Sequence, residues 1–358
     1  MTFPGASGGR KEDREGHRSL YSSERVLVLG GGIAGMTAAA ALAELGHAVT
    51  LVELAPRLGG RLAEAASLFP DLGPASSKLE AASGRLSAAG VDVRLSTSLA
   101  SLSEDGGRKV ELSDGTVLQI SSIVLATGLE TIDPAVVPEY GHGRLSQVVT
   151  AAELEAMLAD GQLGRSDAPS SIVFVQCVGS RSERRGVRYC GGTCCANALK
   201  QAILVKRTLP GADVAFLYID LRTPGKGQED LYREARRLGV RFVRGIPSLV
   251  LPRGDNAVVC GEDTLLRQLY ELEADLVVLA MGVRQSPGNL ALLDQLEVQQ
   301  TTWGFPATEG CRTSADGVFV CGAAEGPKDS ASAAAQAEAC ALEVHRFLKK
   351  KKEGLEGV

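Results

Sequence analysis

The stretch VQCVGSRSERRGVRYCGGTCCANALKQA, residues 175–202, holds Cys177, Cys190, Cys194 and Cys195, half of the chain's eight cysteines. Their intervals of 13, 4 and 1 residues admit several chemistries. Four thiolates are the usual complement of a 4Fe-4S cubane, and soft sulfur also suits zinc. Adjacent ligands are uncommon in zinc knuckles, which places zinc below the cluster. Cys190 and Cys195 have the C-x4-C spacing of some redox dithiols, and a small buried hydrophobe is the plain alternative for each cysteine. No two cysteines are spaced C-x-x-C, which excludes a thioredoxin-type pair. Cys194 and Cys195 fall where a helix is expected to begin, so its dipole favours thiolates and an anionic cluster. Gly191 and Gly192 allow the bend that turns Cys190 toward the pair. Arg181, Arg184, Arg185 and Arg188 could offset negative charge, although a solvated loop also accounts for them. Cys260, Cys311, Cys321 and Cys340 are scattered and read as core residues. Of these, Cys321 stands out because it precedes Gly322.

A second motif lies far upstream. RVLVLGGGIAGMTAAAALAELGHAVTLVE, residues 25–53, reads as strand, glycine turn, helix and strand. The strand is apolar and β-branched, and the helix is rich in alanine. Between them lies Gly30-x-Gly32-x-x-Gly35, followed by Glu53 at the end of the second strand. Gly30 permits the tight turn, Gly32 lets a pyrophosphate approach the backbone, and Gly35 lets the helix pack on the sheet. Ala34 sits in the helix's first turn, whose free N–H groups and positive dipole end favour phosphate. Glu53 can accept hydrogen bonds from an adenosine ribose.

Three further stretches argue for FAD rather than NAD as the dinucleotide. APRLGGRL carries Gly59, Gly60 and Arg61, which resemble the second phosphate-contacting element of two-dinucleotide flavoproteins. SSIVLATGLE ends a buried strand in Ala126-Thr127-Gly128. GVFVCGAAEGPKD places Gly322 after another strand and expects a helix to open near Asp329–Ser332. A helix N-terminus at the flavin's pyrimidine edge would stabilise negative charge on reduced flavin.

Between these pieces a second half-fold is expected. SIVFVQ, residues 171–176, is a buried strand, followed by a loop, a helix over 194–206 and a strand over 213–219. In a fold with two dinucleotide-binding units, the inserted unit would bind NAD(P)H through its own GxGxxG. Here the loop after the strand reads Cys177-Val178-Gly179-Ser180-Arg181, and the next helix opens with Cys-Cys. Direct use of NAD(P)H is therefore disfavoured. The boundaries expected are an FAD domain from residues 25–165 and 288–350, and an inserted unit over 166–287. Residues 1–24 read as a disordered lead-in and 351–358 as a flexible tail.

Composition bounds the rest. The 358 residues, 44% of them hydrophobic, suffice for two domains, and a net charge of −5 makes nucleic acid an unexpected partner. No apolar run approaches the ~20 residues of a membrane span. The first 24 residues lack the apolar core of a signal peptide. A cytoplasmic protein is expected, and clustered cysteines there point to metal or catalysis rather than structural disulfides.

Taken together, GGGIAGMTAA, LVELAPRLGGRL, VLATGLETIDPAVVPEYGHG, QCVGSR…YCGGTCCANALKQA and GVFVCGAAEGPKD resemble the HdrA family of heterodisulfide reductases, over residues 25–345. The resemblance implies a thioredoxin-reductase-like α/β flavoprotein with FAD, one 4Fe-4S cluster and an oxidoreductase role in electron transfer. It implies Cys177, Cys190, Cys194 and Cys195 as cluster ligands, and Lys328 near the flavin N5 edge as a tuning cation. It also implies a homodimer, with partners like the HdrB and HdrC components of heterodisulfide reductase. Longer members of the family carry a further N-terminal domain and ferredoxin modules, whereas this chain has no C-x2-C-x2-C-x3-C run. It is similar instead to the short form in complexes of sulfur-oxidising prokaryotes, so electron bifurcation is not expected. Two other readings remain open: a stand-alone flavin disulfide reductase using Cys190 and Cys195, and a scaffold that binds FAD structurally.

Overall fold

The computed structural model describes residues 25–104, 107–164 and 168–354. The expected lead-in, residues 1–24, lies outside them. The first unit opens with β1 (Arg25–Leu29), α1 (Ile33–Glu44) and β2 (Ala48–Val52), followed by α2 (Ala75–Ala88) and β3 (Asp92–Arg94). A small antiparallel sheet of β4 (Leu99–Ser103), β5 (Lys109–Leu112) and β6 (Val117–Gln119) precedes β7 (Ser122–Leu125). The chain crosses to the second unit at β8 (Glu130–Thr131).

The second unit contains β9 (Val148–Thr150), α3 (Ala151–Ala159), β10 (Ser171–Val178), α4 (Cys194–Thr208), β11 (Asp213–Tyr218), α5 (Gln228–Arg237) and β12 (Arg241–Arg244). A meander of β13 (Leu249–Arg253), β14 (Asn256–Asp263) and β15 (Gln268–Ala274) leads into β16 (Leu276–Met281). The return passes through β17 (Val283–Arg284) and α6 (Pro287–Gln295). It continues through β18 (Thr308–Glu309), β19 (Arg312–Thr313) and β20 (Val318–Val320) to α7 (Ser330–Lys352).

The first sheet has the order β18-β19-β20-β7-β1-β2-β3, and the second β12-β11-β10-β16-β9. The central strands β1, β7, β10 and β16 are nearly continuous Val, Ile, Leu and Phe, as strands covered on both faces must be. Alanines let α1 sit closely between β1 and α7, and its residues from Ala34 to Leu42 are all buried.

In each sheet the chain leaves the first strand to one side and later returns to the other: β1 between β2 and β7, β10 between β11 and β16. These reversals are the topological switch points at which doubly wound sheets open a crevice beyond their strands' carboxyl ends.

The boundary expected at residue 165 moves upstream. Val148, Val149 and Thr150 pair with Val277, Val278 and Leu279, so β9 and α3 belong to the second sheet. The crossing is the antiparallel pair β8 and β17, Thr131 opposite Val283 and Glu130 opposite Arg284. At the other end α7 carries the basic run as far as Lys352, where cations suit the negative helix end, so residues 351 and 352 of the expected tail are helical. Residues 355–358 lie outside the described residues.

A buried polar network joins the units. The Lys200 ammonium, from α4, bonds the Glu155 carboxylate at 2.7 Å and the Ser67 carbonyl at 2.9 Å. Glu155 also accepts from the Ala66 backbone N–H at 3.0 Å and from Gln201 at 2.7 Å. Lys200 is 1% exposed, so the pair holds the first unit's 66–67 segment against α3 and α4 with water excluded.

Candidate functional site

At the first switch point, two glycine elements meet. Gly30 has φ +109°, and a Cβ there would stand 2.4 Å from the Ala126 carbonyl oxygen. A Cβ on Gly35 would stand 1.8 Å from the Gly30 oxygen, so α1 can reach the strand only with glycine at that position. Gly32 differs, because its Cβ would meet nothing within 4 Å. That open space is what a pyrophosphate needs. Gly59 bridges to Gly32, its N–H bonding the Gly31 carbonyl at 2.8 Å, and Gly60 follows within contact of Gly32. The two glycine elements therefore share one wall, as their motifs led us to expect. Arg61 reaches the Thr131 hydroxyl on the crossing strand.

Glu53 orders the turn itself: its carboxylate accepts the Gly31 N–H at 2.6 Å and the Ala55 N–H at 2.7 Å. Each oxygen retains capacity for a ribose hydroxyl. Ala126 N–H bonds the Leu29 carbonyl at 2.8 Å, and Thr127 lies exposed at the crevice. Asn289 of α6 donates to the Gly128 carbonyl at 2.8 Å. Gly322, with φ +68°, lies so close to Ala34 that a Cβ would stand 2.4 Å from it. Asp329 caps α7 by accepting the Ser332 N–H at 2.7 Å, within the expected helix start. Lys328 bonds the Glu325 carboxylate at 2.6 Å and the Gly322 carbonyl at 2.7 Å, so its ammonium is held by local acceptors.

At the second switch point the wall is made of sulfur. The β10–β16 ladder slips between Val175 and Val178, and Cys177 takes a left-handed φ of 59°, as Arg181 does at 53°. Such non-glycine conformations cost of order 1–3 kcal/mol and persist where surrounding structure imposes them. Arg181 N–H bonds Tyr189 O at 3.3 Å and Ser182 N–H bonds Val187 O at 2.9 Å, folding the arginine loop back on itself. The Tyr189 hydroxyl donates to Val283 O at 3.0 Å, and its ring packs on Phe305 and Trp303. Cys190 follows this anchored tyrosine in the loop before α4, and its sulfur accepts the Gly192 N–H at 3.4 Å.

Cys194 and Cys195 open α4, which has no side-chain cap. The Cys194 thiol lies 3.5 Å from the Met281 carbonyl at the end of β16, and the Cys195 thiol 3.8 Å from the Asp220 carbonyl beyond β11. The structure thus gathers the four predicted cysteines around the ends of three adjacent strands. They also sense one another. Burial pushes the Cys194 thiol up to about 12, with the other three cysteines adding to the rise. Burial pushes Cys177 up to about 11, with Cys195 adding and the Arg181 guanidinium opposing. Binding an electrophilic metal centre would displace these protons.

Among the described residues, no three His, Cys, Asp or Glu side chains close on a point as one bound ion requires. Zinc would need its sulfurs about 2.3 Å from a single centre. A cubane takes its four thiolates at separate iron corners, a wider arrangement than a single ion requires. Arg181 donates to Asp220 at 2.7 Å, and its guanidinium also lies against the Cys177 sulfur, opposing the rise that burial causes there. A cation beside the thiols fits an anionic sulfur-bearing centre.

Sequence reasoning missed two features. The Lys200–Glu155–Gln201 network carries no motif, because its members come from separate helices. Cys311, Cys321 and Cys340 are buried in one core as expected, but nothing in their spacing signals that the first two sit close enough to Cys340 to push its thiol well above the ordinary range.

Comparison with known proteins agrees with this geometry. Residues 2–141 match the family model of pyridine nucleotide-disulphide oxidoreductases. The chain is 38% identical over 243 residues to the HdrA iron-sulfur protein of the CoB--CoM heterodisulfide reductase of Methanocaldococcus jannaschii, covering 63% of this chain and 37% of that protein. The chain is similar to HdrA over this span. Similarity to the HdrA protein of the H(2):CoB-CoM heterodisulfide,ferredoxin reductase of Methanothermobacter thermautotrophicus is 36% identity over 239 residues, 63% of this chain and 36% of that one. The chain therefore spans little more than a third of the length of these curated HdrA relatives.

Its fold is that of thioredoxin-reductase-like flavoproteins. The T. acidophilum thioredoxin reductase superposes with a TM-score of 0.65 at 17% identity, over 90% of this chain and 97% of that one. The Lactococcus lactis enzyme gives 0.65 at 18%, over 92% and 100%. The expected resemblance to HdrA and the expected fold are thus borne out. Among the described residues, no helix is long and apolar enough to cross a membrane.

Proposed function

We propose that this HdrA-like chain is an electron-transfer flavoprotein. FAD would occupy the first switch point and a 4Fe-4S cluster the second, where a related enzyme would bind nicotinamide. The observation that carries the reading is the replacement of a phosphate turn by four mutually interacting thiols beside the Arg181 guanidinium.

Gly30, Gly32, Ala34 and Gly35, with Gly60 and Arg61, would hold the pyrophosphate, and Glu53 the ribose. Ala126, Thr127, Gly128 and Gly322 would border the flavin. Bound flavin exchanges electrons in pairs or singly, and the cluster exchanges them singly. The protein's part is to fix the two sites relative to each other. The Lys200–Glu155 pair and the Gln228 bond to Asp329 at 3.2 Å both span the units and serve that end. Lys328, tied to Glu325, would carry a partly neutralised positive charge at the flavin edge.

The partners proposed are proteins like HdrB and HdrC of heterodisulfide reductase, in a complex of sulfur metabolism without bifurcation. A cytoplasmic homodimer is part of the same reading. The test is iron, acid-labile sulfide and flavin analysis of anaerobically purified protein. About four iron and four sulfide per FAD are expected, and Cys194→Ser should lose iron while keeping flavin. Protein with FAD and no iron would sink the reading. Thiol-dependent NAD(P)H turnover would then favour the disulfide reductase using Cys190 and Cys195.

A further inference from the structure

Two polar side chains flank Cys177. One is Arg181, whose buried Nη1 has no nitrogen or oxygen partner and whose guanidinium lies against the Cys177 sulfur. The other is Gln176, which is fully buried and has no partner for either end of its side-chain amide. An unmade hydrogen bond at such a depth costs about 1–3 kcal/mol, so the Gln176 amide calls for a ligand.

Alternation along β10 fixes where Gln176 lies. Ile172 and Phe174 belong to the core between the sheet and α4, whereas Val173 and Val175 belong to the opposite core. The ladder keeps its register through Val175, so Gln176 continues the α4-facing row. On that face, at the carboxyl end of β10, stands the first turn of α4, and Cys194 packs against the same core. Arg181 approaches from the loop side. Its left-handed backbone and its bond to Asp220 set the guanidinium, and its charge reaches the Cys177 sulfur.

We infer that Gln176 and Arg181 are positioning residues that donate hydrogen bonds to the sulfur of the centre held by the four cysteines, and so raise its reduction potential. The inference rests on the cluster reading above. Hydrogen bonds and positive charge at the sulfurs stabilise the reduced, more negative state more than the oxidised one. Gln176 supplies a dipole from the helix side and Arg181 a full charge from the loop side. Neither residue is a ligand, so removing one should change the potential without emptying the site.

The test compares the anaerobically purified full chain with Gln176→Leu and Arg181→Met. Each form is analysed for iron, sulfide and FAD, then titrated against redox mediators with low-temperature EPR of the reduced cluster. Both variants are expected to retain wild-type iron, sulfide and flavin. Their midpoints should fall by about a tenfold change in the reduced-to-oxidised ratio, ~59 mV for one electron, with Arg181→Met at least as large. Variants that load fully and titrate at the wild-type midpoint would overturn the inference while leaving the cluster in place. Wild-type protein without iron would overturn the cluster reading, and this inference with it. Should Gln176→Leu fail to fold, Arg181→Met at the wild-type midpoint still counts against the proposal and a lowered midpoint still supports it.

Discussion

The two strand–turn–helix units, β1–α1 and β10–α4, share one topology and differ in what lies at the turn. In the first, glycines clear a path: Gly30 and Gly35 let the backbone close up, and Gly32 leaves open space at a helix start. In the second, the helix start carries Cys194 and Cys195, and the preceding strand ends in Cys177 with a left-handed backbone. The acidic residue after each second strand shows the same divergence. Glu53 accepts backbone N–H groups and shapes the glycine turn. Asp220 instead accepts the Arg181 guanidinium, which holds its carboxyl below the usual carboxylate range. One scaffold can thus serve two chemistries because the crevice at a switch point belongs to the topology. The residues at its rim decide what enters.

The comparison can be broken at its strongest point first. Gly35→Val should abolish folding, since even a Cβ would stand 1.8 Å from a backbone oxygen; soluble expression and circular dichroism would show it. Removing one member of the buried pair that ties the units, by Lys200→Met, leaves the buried Glu155 carboxylate without its cation. About 3–5 kcal/mol of stability should be lost in denaturant titration. The same change made together with Glu155→Leu should recover much of that loss, because the uncompensated charge is gone.

Gly32→Val separates folding from binding. Its backbone is extended and its side chain would enter open space, so secondary structure should survive while FAD is lost on gel filtration. An unchanged flavin content would show that the open space is not the pyrophosphate site. The smallest effect belongs to the Thr150 capping box at the start of α3, which involves neither proposed cofactor site. Thr150→Ala should lower stability by about 1 kcal/mol and leave flavin and iron unchanged.

The first unit was the more legible of the two. GxGxxG, the acidic residue at 53 and the alanine-rich helix each have a local cause, and each lies where expected. The boundary was less legible. β9 is only Val148–Thr150, and its place in the second sheet depends on pairing with residues more than a hundred positions away. The four cysteines were evident as a group, but their common position at three strand ends requires the fold. Gln176 read as part of an ordinary buried strand, since nothing in SIVFVQ says that its amide goes unpaired. Lys328 is a parallel case. The resemblance implies a tuning cation near the flavin, and the contact with Glu325 that the structure adds is not legible in the motif.

The central claim is that the second unit accepts single electrons at sulfur rather than hydride from a nicotinamide. Low-temperature EPR of the anaerobic holoprotein, reduced in parallel with excess NADPH or NADH and with a reduced viologen, tests this directly. The account expects a reduced-cluster signal with the viologen, and an oxidised flavin with no such signal after either nicotinamide. Stoichiometric bleaching of the flavin by NADPH or NADH, with no cluster signal under any reductant, would contradict it.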